Sequence, residues 1–431
     1  MYNYNKLINF LYYLILLLPI AFVTGPLIPD TIVILTSIIF LYICYKENLW
    51  ILFKQKIIRL LLLFYAVLVT SSIFSGILLV SFKSSLFYFR FIIFAVAVCY
   101  LLKIKEDLKK NLYFVFLSLM IVLIIDSIIQ YIFHANILGF PILKFYGSTG
   151  ENGTWDIMNY SVTSFFGDEK ILGSYLSKIL PIFTVLHIFH YKDNKFVNLF
   201  FLILLVILVI SITGERAAFF HSIIFLFLTF IFLSFKDKKK IIILFSTTLI
   251  ISIYSLLTFD DKLKHRITSS FYNLDKFQFS QFHKSHYQSA LKMFNEKKFL
   301  GNGPRSFRVL CKEKRFKTSQ SSCTTHPHNT YIQLLAETGI IGFGLVLLFY
   351  LYLIFCLSKN LFLRVFNRKS DLKNSQLVIL IGLFIYLFPF SPHGNFYNNW
   401  LSGLLYFNFA FYLFLFSEKN LIEDKAKNKL K

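Results

Sequence analysis

The chain has 431 residues, of which 56% are hydrophobic and 16% are charged, with a formal net charge of +23 at pH 7. An ordinary soluble domain carries about 25% charged residues and fewer apolar ones. The composition therefore excludes a soluble globular protein and predicts an all-α polytopic membrane protein.

Apolar segments of about 17 to 25 residues, long enough to cross a bilayer as helices, follow one another along nearly the whole chain. We predict twelve spans, near residues 7–23, 27–45, 57–80, 86–102, 112–133, 171–190, 196–212, 216–235, 241–258, 330–357, 377–391 and 400–416. The first span resembles a signal sequence. It lacks a small-residue cleavage site, so we expect a retained helix.

This reading divides the chain into nine spans (1–258), a large loop (259–329), and three spans with a tail (330–431). Basic residues in short loops predict the orientation. With both ends inside, the cytoplasmic segments hold 25 lysines and arginines, whereas the opposite short loops hold three, which are Lys83, Lys144 and Lys170. We therefore expect both termini in the cytoplasm and both long loops, 134–170 and 259–329, on the outer side.

The larger loop has an unusual charge for the outer side of a membrane. It contains 14 lysines and arginines against five acids, a net charge of +9. A phosphate-bearing partner would explain this excess, and anionic lipid headgroups are the alternative. The loop has no groove-reading motif, so nucleic acid is not an expected partner. Residues 285–298 predict a helix with Tyr287, Leu291, Met293 and Phe294 on one apolar face.

Two of the five cysteines, Cys311 and Cys323, lie in this outer loop, where an oxidising compartment would allow a disulfide. The nearest approach to metal-ligand spacing is Cys323 with His326 and His328, which is too weak for a metal site. We expect neither a metal nor another cofactor.

A histidine-bearing loop leads directly into the tenth span. Thr330 and Gln333 have the spacing of a capping box, and Asn329 is an alternative N-cap. His328 then lies just before the first turn, where free N–H groups and the helix dipole favour a phosphate. The alternative is a histidine that is simply a polar loop residue.

Several charged residues near the outer surface allow two interpretations. Arg216 follows a short polar break between two spans, where it either serves the function or pairs with Glu215. Arg90 lies within the fourth span and either extends to the interface or faces the bundle interior. Asp126 in the fifth span is equally ambiguous. The glycines and proline of 301–307 predict a tight turn in which Arg305 could face a phosphate.

Together these residues resemble the O-antigen ligase and polymerase superfamily of bacterial polysaccharide assembly. The matching order is an arginine after a span (Arg216), GNGPRSF at 301–307, and HNTYIQLLAETGIIGF at 328–343. The resemblance is specific from about residue 200 to 350 and diffuse elsewhere, although 165–181 also looks like the approach to the sixth span in that family.

The resemblance implies an all-helical membrane glycosyltransferase with a GT-C-like architecture in the bacterial inner membrane and an active site facing the periplasm. It implies transfer of a glycan from undecaprenyl pyrophosphate to a hydroxyl, either of lipid A core or of a growing polysaccharide. Arg216 and His328 match positions thought to act on the donor. As residues that bind the pyrophosphate or the glycan we group Arg90, Arg266, Gly301, Gly303, Arg305, Asn329 and Glu337.

Other functions remain open at this point. Within the enzyme class these are a ligase, a polymerase and a protein O-glycosyltransferase. A lipid-linked sugar flippase could also have twelve spans, but it predicts two related halves, and no such repeat is visible. A non-catalytic scaffold would leave the Arg216 and His328 pattern without a purpose.

Overall fold

The computed structural model describes residues 2–149, 154–191, 196–233, 281–366 and 372–417, with a few isolated positions besides. Within these ranges the chain is helical except for turns, loops and one short β-hairpin. The predicted ninth span falls almost wholly outside the described residues, and so does Arg266.

The elements are as follows in chain order. The helices are α1 (Tyr2–Ala21), α2 (Leu27–Glu47), α3 (Lys56–Ile73), α4 (Leu78–Ser85), α5 (Phe89–Ile104), α6 (Glu106–Phe133), α7 (Leu172–Tyr191), α8 (Phe196–Ile212), α9 (Arg216–Phe232), α10 (Gln281–Glu296), α11 (Phe307–Leu310), α12 (Thr330–Val365), α13 (Asn374–Tyr386) and α14 (Asn399–Phe416). The strands are β1 (Leu143–Thr149) and β2 (Thr154–Ser161), and 3-10 turns cover Phe22–Thr24, Trp50–Lys54 and Ser164–Phe166.

Among the described helices, eight are long and apolar enough to cross a membrane, and three shorter apolar helices accompany them. These eleven correspond to the predicted spans one to eight and ten to twelve. The protein is therefore a mostly helical, multi-pass membrane protein. The total of twelve spans stays a prediction because the ninth lies outside the described residues.

Several predicted boundaries differ from the ends of the helices, and the fifth span, for instance, begins at Glu106 rather than at residue 112. The third span ends at Ile73 rather than at residue 80, and the chain turns before α4 begins at Leu78. The tenth continues to Val365. The eleventh ends at Tyr386 instead of residue 391. Pro389 accounts for this end, because a proline has no N–H and disfavours helical conformation in the residue before it.

The contacts divide the chain into two compact units. The first comprises residues 1–22, 26–108 and 278–431, and the second comprises 23–25 and 109–277. In the first unit α5 is the central helix. It packs against α2 and α14, and every residue from Phe91 to Leu102 is buried. The apolar residues on all sides of α5 suit a helix with helical neighbours around it.

The second unit contains the hairpin, which an all-α prediction did not include. Strands β1 and β2 pair antiparallel from Leu143↔Ser161 to Thr149↔Thr154. Gln130 of α6 fixes the segment that follows β2. Its amide oxygen accepts hydrogen bonds from the N–H groups of Thr163 and Ser164 at 2.9 and 2.7 Å.

Asp126, one turn earlier on α6, has a similar structural role. It is fully buried, and its carboxylate accepts hydrogen bonds from the N–H of Ile137 at 2.9 Å and from the hydroxyl of Ser164. The carboxylate therefore holds the 134–166 segment against the helix, which explains a charge placed inside a span.

In the first unit, helix α10 of the large loop packs on α12. The predicted helix at 285–298 is present, but its buried face differs from the prediction: Met293 is buried together with Ala290, whereas Leu291 is 42% exposed. Both buried residues join an apolar cluster with Phe307 and Ala336. Polar residues of the same helix face, among them His286, are thereby turned inward.

Candidate functional site

The loop before α12 is held by Asn329, which is the N-cap. Its side-chain oxygen accepts hydrogen bonds from the N–H groups of Tyr331 and Ile332 at 3.0 and 3.1 Å, and its amide donates to the carbonyl of Pro389 at 2.7 Å. The capping box predicted for Thr330 was wrong, because Gln333 bonds elsewhere. Since Asn329 occupies two of the free N–H groups, the helix terminus alone is a weaker phosphate site than the sequence suggested.

The loop between α13 and α14 completes the surroundings of this helix start. The side chain of Gln333 donates to the side-chain oxygen of Asn395 at 3.0 Å and accepts from the N–H of Phe396 at 3.1 Å. The N–H of His393 donates to the carbonyl oxygen of His328 at 2.9 Å. This loop was assigned in part to the eleventh span, so the sequence analysis missed its contribution.

His328 lies in a cluster of four imidazole rings. It has a left-handed φ of 61°, and its ring centre is 4.2 Å from that of His326 and 5.5 Å from those of both His283 and His286. The ring of His328 makes no hydrogen bond to another described residue. Sequence analysis identified His328 but did not connect it with His283 and His286 of α10, although their one-turn spacing was visible.

His326 is fixed by two hydrogen bonds. Its Nε2 lies 3.1 Å from the carbonyl oxygen of His393, and its Nδ1 lies 2.9 Å from the hydroxyl oxygen of Thr325. A carbonyl only accepts, so Nε2 carries the proton and Nδ1 receives the hydroxyl hydrogen. Both nitrogens of His326 are thus occupied, and it serves as a support for its neighbour.

Burial keeps the histidine cluster neutral. Burial, followed by the charges of His326, His283 and His286, lowers the pKa of His328 to about 4. Burial also lowers the pKa of His326 to about 4 and lowers the pKa values of His283 and His286. At pH 7 His328 therefore carries a lone pair that can accept a proton.

Metal binding does not account for the cluster. Across the described ranges, no group of three or more His, Cys, Asp or Glu side chains is arranged to hold a metal ion. The rings pack against one another at tilts of 34° to 76°. We therefore consider the cluster as a set of neutral hydrogen-bonding groups.

The turn at 301–307 interlocks with a break in α12. The helix is interrupted at Gly339, whose φ of 63° and ψ of −167° are not helical. A break leaves backbone groups without helical partners, and the turn supplies them. The N–H groups of Asn302 and Gly303 donate to the carbonyls of Ala336 and Glu337 at 3.1 and 2.8 Å.

Glu337 strengthens this interlock with its side chain. It is fully buried, and its two carboxylate oxygens accept hydrogen bonds from the N–H of Phe307 and the amide of Gln333, both at 2.9 Å. Gly301 and Gly303 have positive φ angles of 64° and 97°, and a Cβ at either would collide with neighbouring atoms. These contacts are structural, and substrate contact by Gly301, Gly303 and Glu337 stays a prediction.

Two arginines lie in or directly after the turn at 301–307. Arg305 donates from one terminal nitrogen to the carbonyl of Tyr397 at 2.7 Å, while its Nε is buried without a hydrogen-bond partner in the described part of the chain. Arg308, three residues later in α11, also has a buried Nε without a described partner. Burial, followed by the charge of Arg308, lowers the pKa of Arg305, yet Arg305 remains charged because arginine does not deprotonate in proteins.

Leaving a buried charged donor unpaired costs more than the 1–3 kcal/mol typical of a neutral group. A bound anion would satisfy both donors at once, and phosphate oxygens fit the guanidinium fork. Sequence analysis missed Arg308, which lies in the four-residue helix α11, whereas Arg305 precedes that helix and has a left-handed φ of 59°.

Arg90 is placed differently. It pairs with Asp30 at 2.9 Å, and its side chain is 15% exposed. The carbonyl of Phe87 accepts a further hydrogen bond from it at 3.0 Å. Of the two interpretations of Arg90, the interior one is observed. Its proposed contact with the substrate stays a prediction.

Arg216 belongs to the second unit, where it begins α9 and is exposed. The preceding Glu215 accepts hydrogen bonds from the N–H groups of Gly173 and Ser174 at 2.6 and 2.9 Å. Glu215 thereby satisfies two of the free N–H groups at the start of α7 and connects the start of α9 with α7. Arg216 therefore lies at the N-terminus of α9, directly after a residue that is hydrogen-bonded to α7.

A disulfide joins Cys311 to Cys323, with their Cα atoms 5.1 Å apart. It closes the segment that leads from α11 to the histidine loop. Cys311 is fully buried beside Phe307 and Phe316 in the apolar cluster, and Cys323 packs against it. The disulfide therefore connects the arginine-bearing turn with the chain that leads to His326 and His328.

In a comparison with known protein families, residues 199–347 match a family model described as O-antigen ligase. The matched range covers α8, α9, α10, the interlocked turn, the histidine loop and the first half of α12. No curated protein matches the chain significantly.

Proposed function

We propose that the chain, whose residues 199–347 match the O-antigen ligase family model, is a membrane glycosyltransferase that uses a lipid pyrophosphate donor. In this proposal the donor is a glycan linked to undecaprenyl pyrophosphate, and the reaction occurs at the periplasmic face of the inner membrane with both termini in the cytoplasm. The acceptor is a hydroxyl group, in the first place one of lipid A core.

The observation that carries the proposal is a pair of arginines with buried Nε atoms and a neutral histidine cluster that share one supporting loop. Within the described part of the chain, Arg305 and Arg308 each have a buried Nε without a hydrogen-bond partner. The loop between α13 and α14 connects them with the cluster, since its carbonyl groups at Tyr397 and His393 accept hydrogen bonds from Arg305 and His326. The two arginines can bind the diphosphate of a donor, and the neutral imidazole of His328 can accept the proton of a hydroxyl. Groups for the donor and for the acceptor are thus both present in the first unit.

The chemistry requires little more than these groups. A pyrophosphate lipid is already an activated leaving group, so the enzyme must stabilise the charge that builds on the departing phosphate. Preorganised arginines in a partly buried site do this electrostatically. We assign this role to Arg305, Arg308 and, by the family resemblance, Arg216.

His328 is assigned as the general base. The acceptor hydroxyl loses its proton to His328 while its oxygen bonds to the anomeric carbon and the bond from that carbon to the phosphate oxygen breaks. Because a diphosphate nearby favours the charged imidazole, donor binding would raise the pKa of His328 toward the working range of a base.

The test of the reaction begins with deletion of the gene and electrophoresis of the cell's lipopolysaccharide. A ligase predicts loss of all long chains while carrier-linked polymer accumulates. A single repeat unit attached to core indicates the polymerase reaction instead. An unchanged surface glycan with altered transport of repeat units contradicts both and supports a flippase.

The test of the site uses purified protein with the carrier-linked glycan. We expect His328→Ala to lower the transfer rate by about 10²- to 10⁴-fold, the usual contribution of a general base. Arg216→Ala should abolish transfer as well, with both variants inserted and expressed normally. Near-normal transfer by either variant would remove that residue from the mechanism.

A further inference from the structure

Helix α10 brings a second histidine against the proposed base. The ring centre of His286 is 5.5 Å from that of His328, with the rings tilted by 34°. His286 is 7% exposed, and Ala290 and Met293 on the same helix are fully buried in the apolar cluster. The position of His286 is therefore fixed by the packing of α10.

The hydrogen bonding of His286 is incomplete on one side of the ring. Burial lowers the pKa of His286, and the backbone of Ser321, which acts as a hydrogen-bond acceptor for the ring, raises it. Its Nδ1 is buried and has no partner among the described residues. In a neutral imidazole that donates from one nitrogen, the other carries a lone pair. An unsatisfied buried acceptor costs about 1–3 kcal/mol, so a hydrogen-bond donor is expected to reach it.

The nature of this atom limits what can bind to it. A lone pair needs a donor, so an unprotonated phosphate cannot be its partner. His326 is excluded as well, because both of its nitrogens are already engaged. The adjacent donor is the ring N–H of His328, which makes no other hydrogen bond to a described residue.

The spacing of the two rings suits such a bond. An N–H···N hydrogen bond spans about 2.9 Å, and each nitrogen lies about 1 Å from its ring centre, so bonded imidazoles have centres roughly 5 Å apart. The observed distance of 5.5 Å between the ring centres is compatible with this spacing. That ring is half-buried, whereas His286 is enclosed.

We propose that His286 is a positioning residue whose Nδ1 accepts the ring N–H of His328 and thereby selects the tautomer of the base. The other nitrogen of His328 then carries the lone pair that receives the acceptor's proton. This inference rests on the proposed function. In the reaction the proton passes from the hydroxyl to His328 and afterwards to the departing diphosphate, while His286 keeps its hydrogen bond throughout.

The test compares His286→Leu with His286→Gln in the full-length purified protein, using the carrier-linked glycan and its acceptor. Leucine removes the acceptor atom, and we expect kcat to fall by about 10- to 100-fold, the cost of a misoriented catalytic group. The KM values for donor and acceptor should change by less than about threefold, because His286 touches neither. Glutamine keeps an oxygen acceptor and should restore most of kcat.

His283→Leu is the matched control, since its ring is equally distant from His328 and lies one turn away on the same helix. We expect nearly normal kcat for this variant. In the background of His328→Ala, the change His286→Leu should cause no further loss, because a residue that acts through another has nothing left to orient.

Several results would overturn the inference. These are wild-type kcat in His286→Leu, equal losses in His283→Leu and His286→Leu, and additive losses in the double variant. If His328→Ala is inactive while His286→Leu is normal, the inference fails and the proposed function stands. If the wild-type protein transfers no glycan, the proposed function itself fails.

A measurement on the wild-type protein covers the case in which His286→Leu does not fold. Solid-state NMR of ¹⁵N-histidine protein should show one neutral tautomer for His328, identified by the signals that His328→Gln removes. The shared hydrogen bond should appear as a correlation between His328 and His286. Equal populations of both tautomers would overturn the assignment.

Discussion

The break in α12 offers a sharp test of how the site is held, through the substitution Gly339→Ala. Gly339 has a φ of 63° and a ψ of −167°, a conformation that only glycine adopts readily. A Cβ at this position would also collide with the carbonyl group of Phe299. Alanine must therefore either keep the break under strain or straighten the helix and expel the turn at 301–307.

The cost follows from the contacts. Backbone strain in such a region is about 2 kcal/mol. Straightening the helix removes three hydrogen bonds, from the N–H groups of Asn302, Gly303 and Ile340, at about 1 kcal/mol each. The collision with the carbonyl group of Phe299 adds to the strain of keeping the break, so straightening, at about 3 kcal/mol, is the less costly outcome and is still a large part of the stability of a small domain. We therefore expect the turn to detach and to displace Arg305 and Arg308.

The assay combines glycan transfer with limited trypsin digestion of membranes, since the turn is rich in lysine and arginine. Gly339→Ala should lower transfer by at least about 100-fold and speed cleavage near residues 297–308. Gly344→Ala is the control on the same helix, because its Cβ would meet nothing within 4 Å. A Gly339→Ala protein with normal transfer and normal protease resistance would refute the reasoning.

Three further predictions concern the site. Burial lowers the pKa of His328 to about 4, so kcat/KM should stay constant from pH 8 to about 5 and fall only when the base becomes protonated below that. A fall in kcat/KM centred near pH 6.5 would contradict this prediction. Arg308→Ala should raise KM for the lipid pyrophosphate by about 10- to 100-fold in steady-state kinetics. The exposed Arg315→Ala should leave it unchanged. Replacing Cys311 and Cys323 by serine should destabilise the loop by about 3 kcal/mol, measured by thermal unfolding with and without reductant. An equal Tm for both proteins would contradict a structural role for the disulfide.

Composition and local chemistry predicted most of the elements. Apolar length is a property of each segment by itself, and for that reason the spans could be located within a few residues. The N-cap at Asn329 and the turn at 301–307 also depend on neighbouring residues alone. The end of α13 was misplaced because apolar residues continue to Phe390, beyond the point at which Pro389 prevents helix.

Contacts between residues far apart in the chain could not be predicted from the sequence in the same way. The roles of Glu337 and Gly303 depend on a meeting of segments more than 30 residues apart, and a motif match shows their presence without showing that they bind each other. The same applies to Asp126 and Arg90, whose charges are explained by partners in other segments. Burial of His286 depends on which face of α10 meets α12, and the apolar pattern indicated the wrong one.

The sequence by itself determined a multi-pass helical protein, the resemblance of residues 199–347 to the O-antigen ligase family model, and the histidine and arginine at the ends of two spans. These are encoded in the type and spacing of neighbouring residues. Only the tertiary structure decided that His286 lies against His328, that Arg308 has a buried Nε, and that the motif glycines serve packing. Hydrogen-bond satisfaction and burial are properties of the assembled chain, because they depend on which backbone and side-chain groups the fold brings within 3 Å of one another.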